Sequence, residues 1–115
     1  MNNEHLLDKS LLKGYLDNLG QAVIEKMLDL YQQQSALYLD DIASAVDQES
    51  QYIWQESCHK MKGASGSVGF LKVHTMLVTL EKSEEKWSVK TGQLAQLEKL
   101  NNQSINAFQS WLNKA

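Results

Sequence analysis

An all-α fold, an antiparallel four-helix bundle with a short additional N-terminal helix, is predicted by three features of the chain. Its 115 residues contain no proline and only 6 glycines, so little in the composition interrupts helix formation. Apolar residues recur at three- and four-residue steps through four long segments, the spacing of one helical face. The breaks between those segments are short, which favours antiparallel neighbours in a bundle.

The elements follow in order. Residues 1–7 read as a loose lead-in. Asp8 or Ser10 can cap a first helix over about 8–18, with Leu11, Leu12, Tyr15 and Leu16 on one side and Gly20 as its stop. The second helix spans about 21–46, where Val23, Ile24, Met27, Leu28, Tyr31, Leu37, Tyr38, Ile42 and Ala45 form the apolar series. The run Asp47-Gln48-Glu49-Ser50 breaks it, and Asp47 or Ser50 can cap a third helix over about 51–67. Gly69 stops that helix, and a fourth runs over about 70–86 with Val73, Met76, Leu77 and Leu80 inward. Ser88 to Gly92 reads as a link. A fifth helix over about 92–113 then turns Leu94, Leu97, Leu100, Ile105, Phe108, Trp111 and Leu112 to the core. No strand pattern, internal repeat or interdomain linker interrupts the series, so residues 1–115 are expected to form one helical domain.

Composition excludes several function classes. The net charge is −3 and no basic cluster is present to displace counterions, which argues against a nucleic-acid surface. No apolar run approaches the roughly 20 residues a membrane span requires, so direct membrane contact is not expected. Cys58 is the single cysteine, so an intrachain disulfide is impossible and a reducing compartment suits the chain. His5 and His74 have no metal-ligand spacing with any acid or cysteine. Glu56-Ser57-Cys58-His59 matches the Glu-x-x-His spacing of a metal bundle once, on the water face, without the second copy such a bundle needs.

The informative stretch is Cys58-His59-Lys60-Met61-Lys62-Gly63-Ala64-Ser65-Gly66. At about 100° per residue, Ile53, Trp54, Ser57, Cys58, Met61, Ala64, Ser65 and Val68 share a core face. His59 stands on the opposite face, with Gln55 and Glu56 before it and Lys62, Gly63 and Gly66 after it. Each glycine inside a helix costs about 1 kcal/mol relative to alanine. Two on the His59 face are expected to leave room for another surface to approach the imidazole. Lys60 reads as a solvated charge beside that face, Ser65 as bonded within the helix and Cys58 as a small buried residue. Trp54, Trp87 and Trp111 read as core or helix-end packing. Glu81 either bonds near the end of the His59 helix or lies exposed.

The motif of His59, Lys60, Met61, Lys62, Gly63, Ala64 and Ser65, with Val68-Gly69 following and Leu80-Glu81 downstream, resembles the histidine-containing phosphotransfer (HPt) domains of bacterial phosphorelays. With Gly66 and Ser67 it is most similar to the C-terminal domains of hybrid sensor kinases of the anaerobic-redox-control type. The resemblance implies a phosphoryl carrier without kinase activity, in which His59 accepts a phosphoryl group from the aspartate of one receiver domain and passes it to another. Lys62 is then expected to offset phosphoryl charge, while Gly63, Gly66, Gln55 and Glu56 border the docking face. The expected partners are response-regulator receiver domains and a hybrid sensor histidine kinase. The acidic pocket and Mg²⁺ belong to the receiver, so no cofactor of the chain's own is expected. A monomer suffices for such a site. The implied location is the cytoplasm, or the cytoplasmic end of a membrane-anchored sensor kinase. The rival class is a helical adaptor that docks receiver or kinase domains without carrying phosphate. It has no need to keep His59, Lys62 and Gly63 in register.

Overall fold

The computed structural model describes residues 5–115. Five helices follow one another: α1 (Lys9–Leu19), α2 (Gln21–Gln48), α3 (Gln51–Ser67), α4 (Leu71–Glu81) and α5 (Trp87–Asn113). The last four form the antiparallel bundle. α3 packs most heavily against α4 and α2, α2 and α4 also meet α5, and α1 lies against α2.

Local chemistry sets the helix ends. Asp8 caps α1 through its Oδ1, which accepts from Leu11 N at 3.0 Å. Ser50 caps α3 in the same way, accepting from Ile53 N at 3.2 Å. Gly20, with φ +84°, joins α1 to α2 without a spacer. Gly69, with φ +72°, turns α3 into α4, and its carbonyl accepts from Asp8 N at 2.8 Å.

The core is built on Trp54, Met61, Phe70, Val73, Leu77, Leu97 and Phe108, all fully buried, with Leu12 of α1 and Ile24 and Ile42 of α2. Phe70 meets Tyr31 and Phe108 edge-on, with ring centroids 4.8 and 6.0 Å apart. A polar layer interrupts the α2–α5 seam. Tyr31 donates to Asn101 Oδ1 at 2.6 Å, and Asn101 Nδ2 donates to Ser35 Oγ at 3.2 Å.

The structure departs from the sequence reading at four places. Leu6 and Leu7 are buried rather than loose, and Leu71 N donates to Leu6 O at 3.0 Å; residues 1–4 of that lead-in lie outside the described residues. α4 stops at Glu81 rather than about 86, because its last carbonyls are closed by Lys82 N and Ser83 N. α5 begins at Trp87, so the supposed link at Ser88–Gly92 is helix. Trp87 meets Trp54 edge-on at 6.1 Å, and Lys90, one turn later, is buried. Those contacts outweigh the cost of Gly92 in a helix. Finally, Val23 and Leu37 point outward, while Ser35 takes an inner position on α2.

Candidate functional site

His59 projects from the middle of α3, its side chain 66% exposed. The helix face behind it is core: Trp54, Ser57, Cys58, Met61 and Ser65 are buried, so the helix cannot roll without dismantling the bundle. Ser65 Oγ donates to Lys62 O at 3.0 Å, within the helix as expected. Burial, reinforced by the Glu81 charge, pushes the Cys58 thiol up to about 12, which leaves it protonated and unreactive.

Glu81, the last residue of α4, organises the polar face. Its Oε2 lies 3.2 Å from His59 Nδ1 and its Oε1 lies 2.7 Å from Lys62 Nζ. One carboxylate thus joins the two residues that α3 places one turn apart. The Lys62 contact above all, and then that of His59, holds the Glu81 carboxyl below its ordinary value. A carboxylate only accepts hydrogen bonds, so the neutral imidazole meets it with Nδ1–H and leaves the Nε2 lone pair facing outward. Lys62 is half-buried and charge-paired with Glu81.

The remaining predicted site residues divide. Gln55 and Glu56 are exposed and, with Tyr52, His59, Glu81 and Lys82, line a shallow cleft of about 300 Å³. Gly63 is exposed, and a Cβ there would meet nothing within 4 Å. Gly66 does not share this open space. A Cβ at Gly66 would lie 3.1 Å from His74 Nδ1, because the His74 ring covers that turn and its Nδ1 is 3.1 Å from Lys62 O. The sequence reading of Gly66 as bare docking surface is therefore corrected: that glycine makes room for His74. Among the described residues, no group of three or more His, Cys, Asp or Glu is placed to hold a metal ion, and no helix is long and apolar enough to cross a membrane.

Two features escaped the sequence reading. The Glu81 bridge was legible only as one of two options, since nothing in the spacing tells which way the last residue of α4 turns. Lys90 carries no signal in the sequence, where it falls within the expected link at Ser88–Gly92. It is 1% exposed, and its Nζ donates to Gln51 Oε1 at 2.6 Å.

Comparison with known proteins bears on the same face. A family model described as "Hpt domain" matches residues 26–108, which include His59, Lys62, Gly63 and Glu81. Among solved structures, the histidine-containing phosphotransfer domain of ArcB from Escherichia coli superposes with a TM-score of 0.84, covering 97% of each chain at 23% sequence identity. At that identity the likeness speaks for the fold. A comparison with curated proteins returned no match.

Proposed function

The chain belongs to the Hpt domain family, whose members carry phosphoryl groups in phosphorelays, and on that footing we propose that His59 is the phosphoryl acceptor, taking the group from a receiver-domain aspartate and returning it to another. The observation that carries the assignment is the Glu81 contact. It engages Nδ1 of an imidazole whose other edge faces solvent beside the uncovered Gly63.

In the forward step the Nε2 lone pair of His59 attacks the phosphorus of the acyl phosphate. An N–P bond forms, the P–O bond to aspartate breaks, and the electron pair leaves with the aspartate carboxylate. The imidazole keeps its Nδ1 proton, so the phosphorylated ring is cationic. Glu81 then faces that proton with a full negative charge. Attack by a second receiver's aspartate on the same phosphorus reverses the sequence. Such transfers pass through a loose transition state that depends on alignment and charge stabilisation more than on covalent help from the protein. The chain's part is a nucleophile held on a rigid post. Lys62, one turn away, offsets phosphoryl charge through the ammonium protons that Glu81 leaves open. Gly63, Gln55 and Glu56 border the approach of the receiver, which would bring the acidic pocket and the Mg²⁺. No kinase chemistry is assigned to this chain, and a monomer in the cytoplasm, free or as part of a hybrid sensor kinase, satisfies the scheme.

Incubation with phosphorylated receiver domains tests the assignment. Wild-type protein is expected to take label on a single residue, with the acid lability and base stability of a nitrogen–phosphorus bond. His59→Gln is expected to fold and take none. Label retained in that variant, or found on His5 or His74, would overturn the assignment.

A further inference from the structure

The mechanism above leaves one buried cation unused. The Lys90 ammonium sits inside the bundle, 4.2 Å from the Trp87 ring centroid and 5.3 Å from that of Trp54, and donates to Gln51 Oε1 at 2.6 Å. Among the described residues no carboxylate lies within ion-pair distance of it. Two aromatic faces and one carbonyl are modest compensation for a desolvated ammonium. Methionine would fill the same slot without that cost. Packing alone therefore does not explain a lysine here.

The hydrogen bonds leaving this cluster all reach one place. With its Oε1 committed to Lys90, Gln51 must turn its Nε2 the other way, where it donates to Ser83 O at 3.0 Å. A flipped amide would set its NH₂ group against the ammonium. Trp54, which contributes one wall of the Lys90 slot, donates through Nε1 to Leu80 O at 2.7 Å. Leu80 and Ser83 flank Glu81. The final turn of α4 is thus tied to α3 on both sides of the residue that holds His59 and Lys62.

We infer that Lys90 is a positioning residue for the phosphoryl-acceptor site: through Gln51 and Trp54 it clamps the last turn of α4, and so sets Glu81 against His59 Nδ1. The inference rests on the reading of His59 as the acceptor. The clamp itself concerns the resting protein and can be measured without any partner.

The test is the tautomer of His59, read by NMR of ¹⁵N-histidine-labelled, unphosphorylated protein. In the wild type, Nδ1 is expected to carry the proton of the neutral ring. Lys90→Met keeps the volume and removes the ammonium. Gln51→Glu keeps a partner for Lys90 but cannot donate to Ser83 O. Both are expected to move His59 toward a mixture of tautomers, Gln51→Glu without a lower melting temperature. In a receiver assay both are expected to transfer about tenfold more slowly, the effect of losing one orienting hydrogen bond. Where Lys90→Met fails to fold, Gln51→Glu decides alone. A folded variant that keeps the wild-type tautomer, whether or not it melts lower, would reduce the cluster to packing and overturn the inference. Wild-type protein with the Nδ1 proton in place but no label from any phosphorylated receiver would instead refute the acceptor role of His59 and leave the clamp standing.

Discussion

At the scale of single residues, the site turns on one carboxylate. Glu81 is ionised more readily in the folded chain than its ordinary value of 4.5 implies, chiefly because of Lys62. The linkage has a definite sign. A depressed folded value means that the unfolded chain binds the proton more tightly, so the stabilising contribution is complete above about 4.5 and disappears as pH falls through the lower folded value. Thermal melts of wild type and Glu81→Gln should differ near neutral pH and converge in acid. A difference that persists unchanged at the acid end would mean that the pair contributes nothing. Transfer by Glu81→Gln is expected to slow about tenfold, or about 1.4 kcal/mol on the barrier.

The two glycines near His59 separate at the same scale. Gly63→Ala is expected to stabilise the helix by up to about 1 kcal/mol, since nothing stands within 4 Å of the new Cβ. Gly63→Gln is expected to fold but to lose transfer through obstructed docking. Gly66→Leu must push the His74 ring off Lys62 O, and a lower melting temperature is the expected result. Thermal melts paired with a receiver assay read all three. A Gly66→Leu protein that melts like wild type would contradict the His74 packing.

At the scale of elements, helix ends carry the strain. Glu49 closes α2 with φ +50°, a left-handed conformation, while Glu49 N reaches Val46 O and Ser50 N reaches Ala45 O. A side chain in that conformation costs on the order of 1 kcal/mol, and glycine avoids it. Glu49→Gly is therefore expected to raise stability by roughly 1 kcal/mol in a denaturant titration with an unchanged m-value. An unchanged or lowered midpoint would show that the exposed Glu49 side chain compensates. α5 illustrates the opposite balance. Gly92 lies inside it, exposed and with open space around it, yet the helix continues because Trp87, Lys90 and Leu94 are packed on the other side.

At the scale of the whole molecule, the region before the family match closes the bundle. Residues 26–108 match the family model, yet Leu6, Leu7 and Leu12 are buried in the same core. Leu7 bridges to Phe70, and Tyr15 OH donates to Ser67 O at 3.1 Å, so the N-terminal segment holds the turn that follows α3. Leu7→Ala is expected to cost about 2–4 kcal/mol by denaturant unfolding, the range for a fully buried leucine. A loss below about 1 kcal/mol would mark the segment as peripheral.

How much of this was legible beforehand follows from the range of the forces involved. The helical class, the core face of α3, the outward position of His59 and the choice of caps down to Asp8 or Ser10 and Asp47 or Ser50 depend on periodicity and on neighbours within a turn. A linear sequence records both. Positions that depend on a second helix were hidden. Glu81 could be read as bridge or as surface until α4 was laid against α3. Gly66 looked as bare as Gly63 until His74 covered it. Lys90 lay in an expected link until two tryptophans from different helices closed over it. Periodicity sets the core face of α3, but not all of α2, where Val23 and Leu37 turn outward and Ser35 turns in. What each face meets follows from packing alone, because a side chain's burial and charge partner are set by helices far away in the chain.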